Sequence, residues 1–262
     1  MYKLLIEKHF PTSSSQGTSC PEVIRPPKSF DRNEILKRKK EDYEPGTREW
    51  IFDALINNIK EHHAAFLLSP AGMGKSCIMA ELTVRCCPSF EKKKNDDRLN
   101  ILAYHFFVWT DKNAKSGEFA LKSIASQLCE FFPDFARSLS NSNDELKWEL
   151  EKKKGELNEL FNLLIVQPCK KLPKTSESFA ILLDALDECD QAQEFSAAIK
   201  KLWGDVPTFV SLIVSSRPST FVQNDFKGFT PLLLQPTDKQ NREDLKLFLE
   251  KRLRDKSWNI TP

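Results

Sequence analysis

The feature that most constrains the fold of this chain is a glycine-containing loop between an apolar run and a segment of helical periodicity. Residues 64–68 are all apolar and predict a buried strand. The loop that follows runs from Ser69 to Ser76 and reads Ser-Pro-Ala-Gly-Met-Gly-Lys-Ser. Apolar residues then recur at helical spacing until Pro88 ends the helix. A strand, a glycine loop and a helix in this order are typical of a loop that binds an anion at the end of a strand.

The residue types in this loop match the chemistry of phosphate binding. Gly72 and Gly74 let backbone N–H groups approach phosphate oxygens without an intervening Cβ. The helix that follows directs its unpaired N–H groups and positive dipole end at the same place. Lys75 would reach the β- and γ-phosphates, and the Ser76 hydroxyl would bind Mg²⁺. We therefore predict a nucleotide-binding segment made of Ser69, Pro70, Ala71, Gly72, Met73, Gly74, Lys75, Ser76 and Cys77.

One position departs from the full pattern G-x-x-x-x-G-K-[S/T], because Ser69 stands where the first glycine is expected. If that position needs a positive φ, serine costs about 1 kcal/mol. If φ is negative, serine is harmless there.

A second apolar run ends in acid. Residues 179–183 predict a strand that terminates at Asp184, and Asp187 and Glu188 follow within one turn. Because ligands of parallel sheets bind at the carboxyl ends of the strands, Asp184 should lie beside the loop and hold Mg²⁺, through water. We expect Glu188 to act as the base on the attacking water, with Asp187 in support. The competing interpretation of this cluster is the solvated start of a helix.

Two arginines complete the set of candidate residues. Arg217 follows a strand predicted at 209–214 and could sense the γ-phosphate as a bidentate donor, or be a surface arginine before Pro218. Arg48 precedes the first strand and could line the adenine pocket, or belong to an ordinary amphipathic helix. His105 and the other histidines have no ligand partners at metal spacing and are interpreted as structural.

Further apolar runs at 101–109 and 232–234 bring the predicted strands to five, and helical patterns separate them. Strands that are apolar along their whole length predict a parallel sheet with helices on both faces, an α/β fold. Residues 1–42 are rich in small polar residues and proline, and we expect them to form a poorly ordered arm. The core is expected over 43–236.

Composition excludes several classes. Lys and Arg number 39 against 37 Asp and Glu, a net charge of +2, which gives no case for nucleic acid or a membrane surface as a partner. No apolar run is long enough to span a bilayer or to form a signal-peptide core. Seven cysteines without a C-x-x-C spacing indicate neither a disulfide framework nor a zinc site, which favours a reducing, cytoplasmic location.

The quoted motifs together resemble the NACHT family of P-loop NTPases, of the STAND class. The entry segment at 43–52 and the loop at 69–76 resemble the start of a NACHT domain, and the acidic strand end at 181–190 looks like its Walker B segment. Residues 215–218 are similar to its sensor 1 segment, and stretches near 104–107 and 161–168 resemble the nephrocystin-type branch. The resemblance implies a three-layer sandwich in which the sensor 1 strand lies between the Walker A and Walker B strands.

For function, the resemblance implies a slowly hydrolysing ATP/ADP switch in signal transduction or innate-immunity-like scaffolding. It implies protein partners or a homo-oligomer in a full-length form, and a helical lid that begins within 237–262. Two alternatives stay open: a small-molecule kinase, and a scaffold that binds ATP without hydrolysing it. The kinase would need an Arg-rich lid, and between Phe107 and Asp184 only Arg137 is present.

Overall fold

The computed structural model of the chain describes residues 20–90, 99–139, 142–174 and 177–254. Within these ranges the chain forms a five-stranded sheet. Its strands are β1 (Ala64–Leu68), β2 (Ile101–Phe106), β3 (Phe179–Asp184), β4 (Val210–Ser216) and β5 (Leu232–Leu233).

The spatial order of the strands is β2-β3-β4-β1-β5, and every neighbouring pair is parallel. The first four strands are apolar over most of their length because both faces of the sheet are covered. β4 lies between β1 and β3, as the resemblance implied for the strand that carries the sensor segment. The predicted fold class, a three-layer α/β sandwich of the P-loop NTPase type, is confirmed.

Helices cover both faces of the sheet. They are α1 (Arg32–Lys40), α2 (Glu49–His62), α3 (Lys75–Cys86), α4 (Gly117–Phe131), α5 (Pro133–Leu139), α6 (Asn143–Lys152), α7 (Leu157–Phe161), α8 (Gln167–Lys170), α9 (Ala192–Leu202), α10 (Thr220–Phe226) and α11 (Lys239–Arg254). Between β2 and β3, α7 and α8 are joined by a π-helical segment, Asn162–Val166.

The two faces of β1 belong to two different cores, as the alternation of side chains along a strand requires. Ala65 and Leu67 pack in a cluster with side chains from α1, α2 and α3. Phe66 packs on the opposite face with side chains from α4 and the helices that follow it. No helix among the described residues is both long and apolar enough to cross a bilayer.

The N-terminal arm differs from the expectation of poor order in its described part, residues 20–42. Asp31 caps α1 by accepting hydrogen bonds from the N–H groups of Asn33 and Glu34. Ile35 and Leu36 are buried in the cluster that covers α3. Ile24 is buried in the other core. Apolar side chains of this segment therefore pack on both cores, and its average composition conceals them. Residues 1–19 lie outside the described residues.

Candidate functional site

The loop after β1 is shaped by two glycines in the left-handed region. Gly72 has φ +76° and Gly74 has φ +80°. A Cβ at either position would meet no protein atom within 4 Å, so backbone conformation and not crowding requires glycine here. Ser69 has no positive φ, is buried, and donates its N–H to the carbonyl of Ser216 on β4 at 3.2 Å. The serine at the position of the first glycine is therefore without conformational cost.

Lys75 begins α3 and is buried, although it carries a charge. Its Nζ donates to the carbonyl oxygens of Ser69 at 2.7 Å and Pro70 at 2.9 Å. Burial lowers the pKa of the Lys75 amine, and the nearby carboxylates of Asp187, Asp184 and Glu188 oppose that shift. The lysine thus lies within its own loop and faces the acids that end β3.

Asp184 is the last residue of β3 and its side chain is fully buried. One carboxylate oxygen, Oδ1, accepts a hydrogen bond from the Ser215 hydroxyl, and the other, Oδ2, has no hydrogen-bond partner. Burial raises the pKa of Asp184, and the hydroxyls of Ser215 and Ser76 and the charges of Lys39 and Lys75 act against the rise. A buried carboxylate oxygen without a partner, close to a serine hydroxyl, is the chemistry of a Mg²⁺ site.

A strained residue turns the chain from this strand into the acidic turn. Ala185 has φ +57°, which costs a non-glycine residue about 1 kcal/mol. Its N–H donates to the Ser215 hydroxyl at 2.9 Å, so one serine on β4 binds both Asp184 and the residue after it. The left-handed residue starts a short 3₁₀ turn, Leu186–Glu188, which carries the other two acids.

Asp187 is bound to the end of β4. Its Oδ1 accepts the backbone N–H of Arg217 at 2.8 Å, and its Oδ2 lies 3.1 Å from the Arg217 Nε. The Arg217 side chain is 56% exposed. The predicted sensor therefore lies at the site, with its guanidinium on Asp187.

Glu188 is held from the opposite direction, by the segment that follows β2. Its Oε2 accepts the backbone N–H of Trp109 at 3.0 Å. That segment is also bound by His105, a buried residue of β2. The His105 Nε2 donates to the carbonyl of Ala114 at 2.9 Å. Burial lowers the pKa of His105 to about 4. This is the structural histidine that the sequence indicated.

Arg48 lies at the start of α2 and contacts α11 rather than an open pocket. Its backbone N–H donates to the Asp244 carboxylate at 3.0 Å, and its guanidinium bonds the side chain of Asn241. The Trp50 indole donates to the same Asp244 oxygen at 3.0 Å. Burial lowers the pKa of Arg48, and the neighbouring Asp244 and Cys77 oppose this. Arg48 thus lies close to Cys77 at the start of α3, and its contact with a nucleotide stays a prediction.

The structure brings the predicted residues of the loop, the acidic turn and Arg217 to one edge of the sheet, where β1, β3 and β4 end. It adds contacts that sequence reasoning missed. Lys39 of α1 lies close enough to affect Asp184, Ser215 orders the acidic turn, and Asp244 bonds Arg48. The basic run that contains Lys39 was visible in the sequence, but its proximity to the site depends on how α1 packs on α3.

The sheet, the loop and the acidic strand end together define the class as the P-loop NTPase fold. The chain belongs to the family described as Nephrocystin 3, N-terminal, whose profile matches residues 46–217. No curated protein matches the chain significantly. Solved structures that are similar include the Aeropyrum pernix ORC1 protein in complex with DNA, at 14% identity and a TM-score of 0.39. That alignment covers 90% of this chain and 55% of the ORC1 chain, so the chain spans about half of the length of that protein.

The comparison corrects one prediction from composition. Nucleic acid was excluded as a partner because the net charge is only +2. The similar ORC1 structure is a complex with DNA, and the exclusion of nucleic acid is withdrawn. A sum over the whole chain conceals how cations are distributed over its surface. DNA binding is a statement about ORC1, and it is not assigned to this chain.

Proposed function

We propose that this chain binds ATP and ADP with Mg²⁺ in the loop Ser69–Cys77 and hydrolyses ATP slowly, as a nucleotide switch of the NACHT/STAND type. The observation that supports this best is the Asp184 carboxylate. It is fully buried, and its Oδ2 has no partner among the described residues. A buried carboxylate oxygen without a partner is costly, and a bound cation would compensate for that cost.

The loop supplies the phosphate contacts in this proposal. Gly72 and Gly74 present backbone N–H groups, and the N-terminus of α3 adds its dipole. The Lys75 Nζ donates hydrogen bonds to two loop carbonyls. With nucleotide bound, it would donate to the β- and γ-phosphate oxygens instead. We propose that Arg48, near Cys77, contacts the nucleotide from the α2 side once its present contact with Asn241 is exchanged.

Ser76 and Asp184 are the residues that would hold Mg²⁺. The Ser76 hydroxyl is near enough to Asp184 to lower the pKa of its carboxyl. This proximity is expected of two oxygen ligands that bind the same ion. When bound, Mg²⁺ supplies charge neutralisation for the phosphate oxygens. The Ser215 hydroxyl holds the other Asp184 oxygen and so orients the carboxylate.

Hydrolysis is assigned to the acidic turn. We propose Glu188 as the base on water, Asp187 as its support and Arg217 as the sensor of the γ-phosphate. The contacts of these residues also favour a second candidate, the scaffold that binds ATP without hydrolysing it. The Glu188 carboxylate accepts a hydrogen bond from the Trp109 N–H, and the Asp187 carboxylate accepts one from the Arg217 N–H. A scaffold would keep these contacts with nucleotide bound, whereas a hydrolase would have to release them.

The switch is assigned to α11, which we propose as the start of a helical lid on the core at 43–236. Asp244 links this helix to the backbone N–H of Arg48 and to the Trp50 indole. A change at Arg48 on nucleotide binding would therefore reach α11 directly. Action in signal transduction, in the cytoplasm, belongs to the same proposal.

Thermal unfolding with and without Mg²⁺–ATP tests the proposal. At 100 times its Kd the nucleotide adds about 2.7 kcal/mol of stability, or roughly 5–10 °C in Tm for a chain of this size. Lys75→Ala should remove most of this shift, because the variant lacks the phosphate cation. Lys60→Ala, which removes an exposed lysine of α2, is the matched control and should keep it. An equal shift in Lys75→Ala would refute phosphate binding by this loop.

A further inference from the structure

Two free thiols meet at a place remote from the nucleotide site. Cys20, in the N-terminal segment, lies with its Sγ 3.3 Å from the Ser126 hydroxyl of α4. Cys129 is one turn further along the same helix, and its thiol is a hydrogen-bond partner of Cys20. Cys20 is half-buried and Cys129 is buried.

Contacts made by the residues that follow Cys20 hold this part of the chain in position. Ile24 is buried in the core that α4 covers. The Glu22 N–H donates to the Asn143 side chain at 3.1 Å, at the start of α6. The Arg25 guanidinium donates to the carbonyl of Cys20 at 2.6 Å. The two sulfur atoms are therefore brought together by the fold itself.

The groups around Cys20 stabilise its thiolate. The Cys129 thiol and the Ser126 hydroxyl donate to its sulfur, and Arg25 adds a positive charge, so that the pKa of Cys20 falls to about 6 although burial raises it. Cys129 is affected in the opposite sense, since Cys20, burial and the adjacent Glu130 all raise its pKa.

The other cysteines for which a shift is resolved differ from Cys20. Burial raises the pKa of Cys169 and of Cys189 to about 12. Burial also raises the pKa of Cys77 and Cys87. Among the cysteines with a resolved shift, only Cys20 has a pKa that is lowered rather than raised.

We propose that Cys20 is a thiol modification site that reacts with hydroperoxides, and that Cys129 resolves the product to a disulfide. A half-buried, donor-stabilised sulfur beside a buried thiol is the arrangement that such a two-step reaction needs. The disulfide would join the N-terminal segment covalently to α4.

The chemistry balances in two steps. The Cys20 thiolate attacks one oxygen of the hydroperoxide, the O–O bond breaks, and the leaving oxygen takes a proton from solvent, which leaves a sulfenic acid on Cys20. The Cys129 sulfur then attacks the sulfenic sulfur. The S–S bond forms, the S–O bond breaks, and the thiol proton leaves with the hydroxyl as water. The two thiols lose two electrons and the hydroperoxide gains them.

Peptide mapping of the full chain after treatment with hydrogen peroxide tests the site. We expect a peptide that links Cys20 to Cys129 to form first, and dithiothreitol to reverse it. In Cys129→Ser the sulfenic acid should persist on Cys20 and be trapped by dimedone. Oxidation of the parent chain should raise Tm by several degrees, because the bond constrains the unfolded chain between residues 20 and 129.

Alkylation rates provide an independent measurement on the unoxidised protein. The iodoacetamide reaction of Cys20 should rise with pH around a midpoint near 6. Cys77, which has a comparable exposure, is the internal control and should react only at much higher pH. Ser126→Ala should slow Cys20 at neutral pH by removing one donor. The proposal is wrong if Cys20 reacts no faster than Cys77 at pH 7, or if peroxide oxidises the parent chain without linking Cys20 to Cys129.

Discussion

The two sides of the candidate site differ in how their charged groups are satisfied. On the inner side, made of Lys75, Ser76 and Asp184, the lysine is bound by carbonyls of its own loop, and Asp184 keeps one oxygen without a partner. On the outer side, made of Asp187, Glu188 and Arg217, both acids accept hydrogen bonds from protein N–H groups.

This difference teaches that the two sides have different requirements. We propose that a cation completes the inner side, because the buried Asp184 Oδ2 has no hydrogen-bond partner among the described residues. The outer side is complete as it stands, so its acids can act on water only if their present contacts are exchanged or shared. The Mg²⁺ dependence of binding should therefore rest on the inner side, and hydrolysis on both.

The largest expected effect comes from the outer side. Glu188→Gln keeps an acceptor for the Trp109 N–H but removes the base, so ATP hydrolysis should fall by about 10²-fold or more while the ATP-induced Tm shift stays. Asp187→Asn should have the smaller effect, by loosening Arg217. Single-turnover hydrolysis with both variants decides between them. A loss confined to Asp187→Asn would transfer the role of base to Asp187.

His105 helps to hold the segment that binds Glu188, and the pH dependence of stability tests this role. Its pKa is about 4 in the folded protein against 6.5 in the unfolded chain. Between these pH values the unfolded state binds a proton that the folded state does not bind. Stability is therefore complete above pH 6.5 and falls by about 3 kcal/mol as the pH drops to 4. The raised pKa of Asp184 acts with the opposite sign, so that stability falls as the pH rises above 3.8.

The two contributions are separated by urea denaturation of the parent chain and His105→Gln across pH 4–7. Glutamine can still donate to the Ala114 carbonyl, and it does not titrate. The difference in unfolding free energy between the two proteins should follow the histidine alone. A difference that does not vary with pH would show that His105 is not held neutral, and the account of this anchor would be wrong.

Asp184→Asn tests the incompleteness of the inner side. The amide still accepts from the Ser215 hydroxyl but carries no charge, so without nucleotide the variant should be at least as stable as the parent. With ATP, its Tm should no longer respond to Mg²⁺ and should equal the value in EDTA. The loss is bounded by the 2.7 kcal/mol of saturating ligand. Asp187→Asn is the control, and a Mg²⁺ response retained only by Asp184→Asn would reverse the comparison.

The smallest effect is expected at Lys39, which extends the inner side to α1. Its charge reaches Asp184, and Lys40 beside it is bound to Glu81 of α3 at 3.3 Å. Lys39→Ala should weaken ATP binding by less than about tenfold, or 1.4 kcal/mol. Lys37→Ala, on an exposed position of the same helix, should leave it unchanged. Equal affinities in isothermal titrations of both variants would confine the inner side to the loop and Asp184.

Much of the fold was predictable because its signals are local. The apolar runs that became β1 and β3, and the helical patterns of α2, α3 and α4, are each complete within a few residues. The extent of order at the N-terminus was not predictable in the same way. Ile35 and Leu36 are ordinary residues in a charged segment, and only the groove beside α3 makes them core.

The sequence by itself determined which residues we propose as phosphate and metal ligands, since the glycines at 72 and 74, Lys75 and the strand that ends in Asp184 are local patterns with local causes. Tertiary structure decided the hydrogen-bond partners of the candidate residues. Asp184 is bound by Ser215, Glu188 by Trp109, and Arg48 by Asp244. Each of these contacts joins segments that are far apart in the chain. Such contacts depend on the order of strands and on the packing of helices, and no spacing along the sequence encodes either.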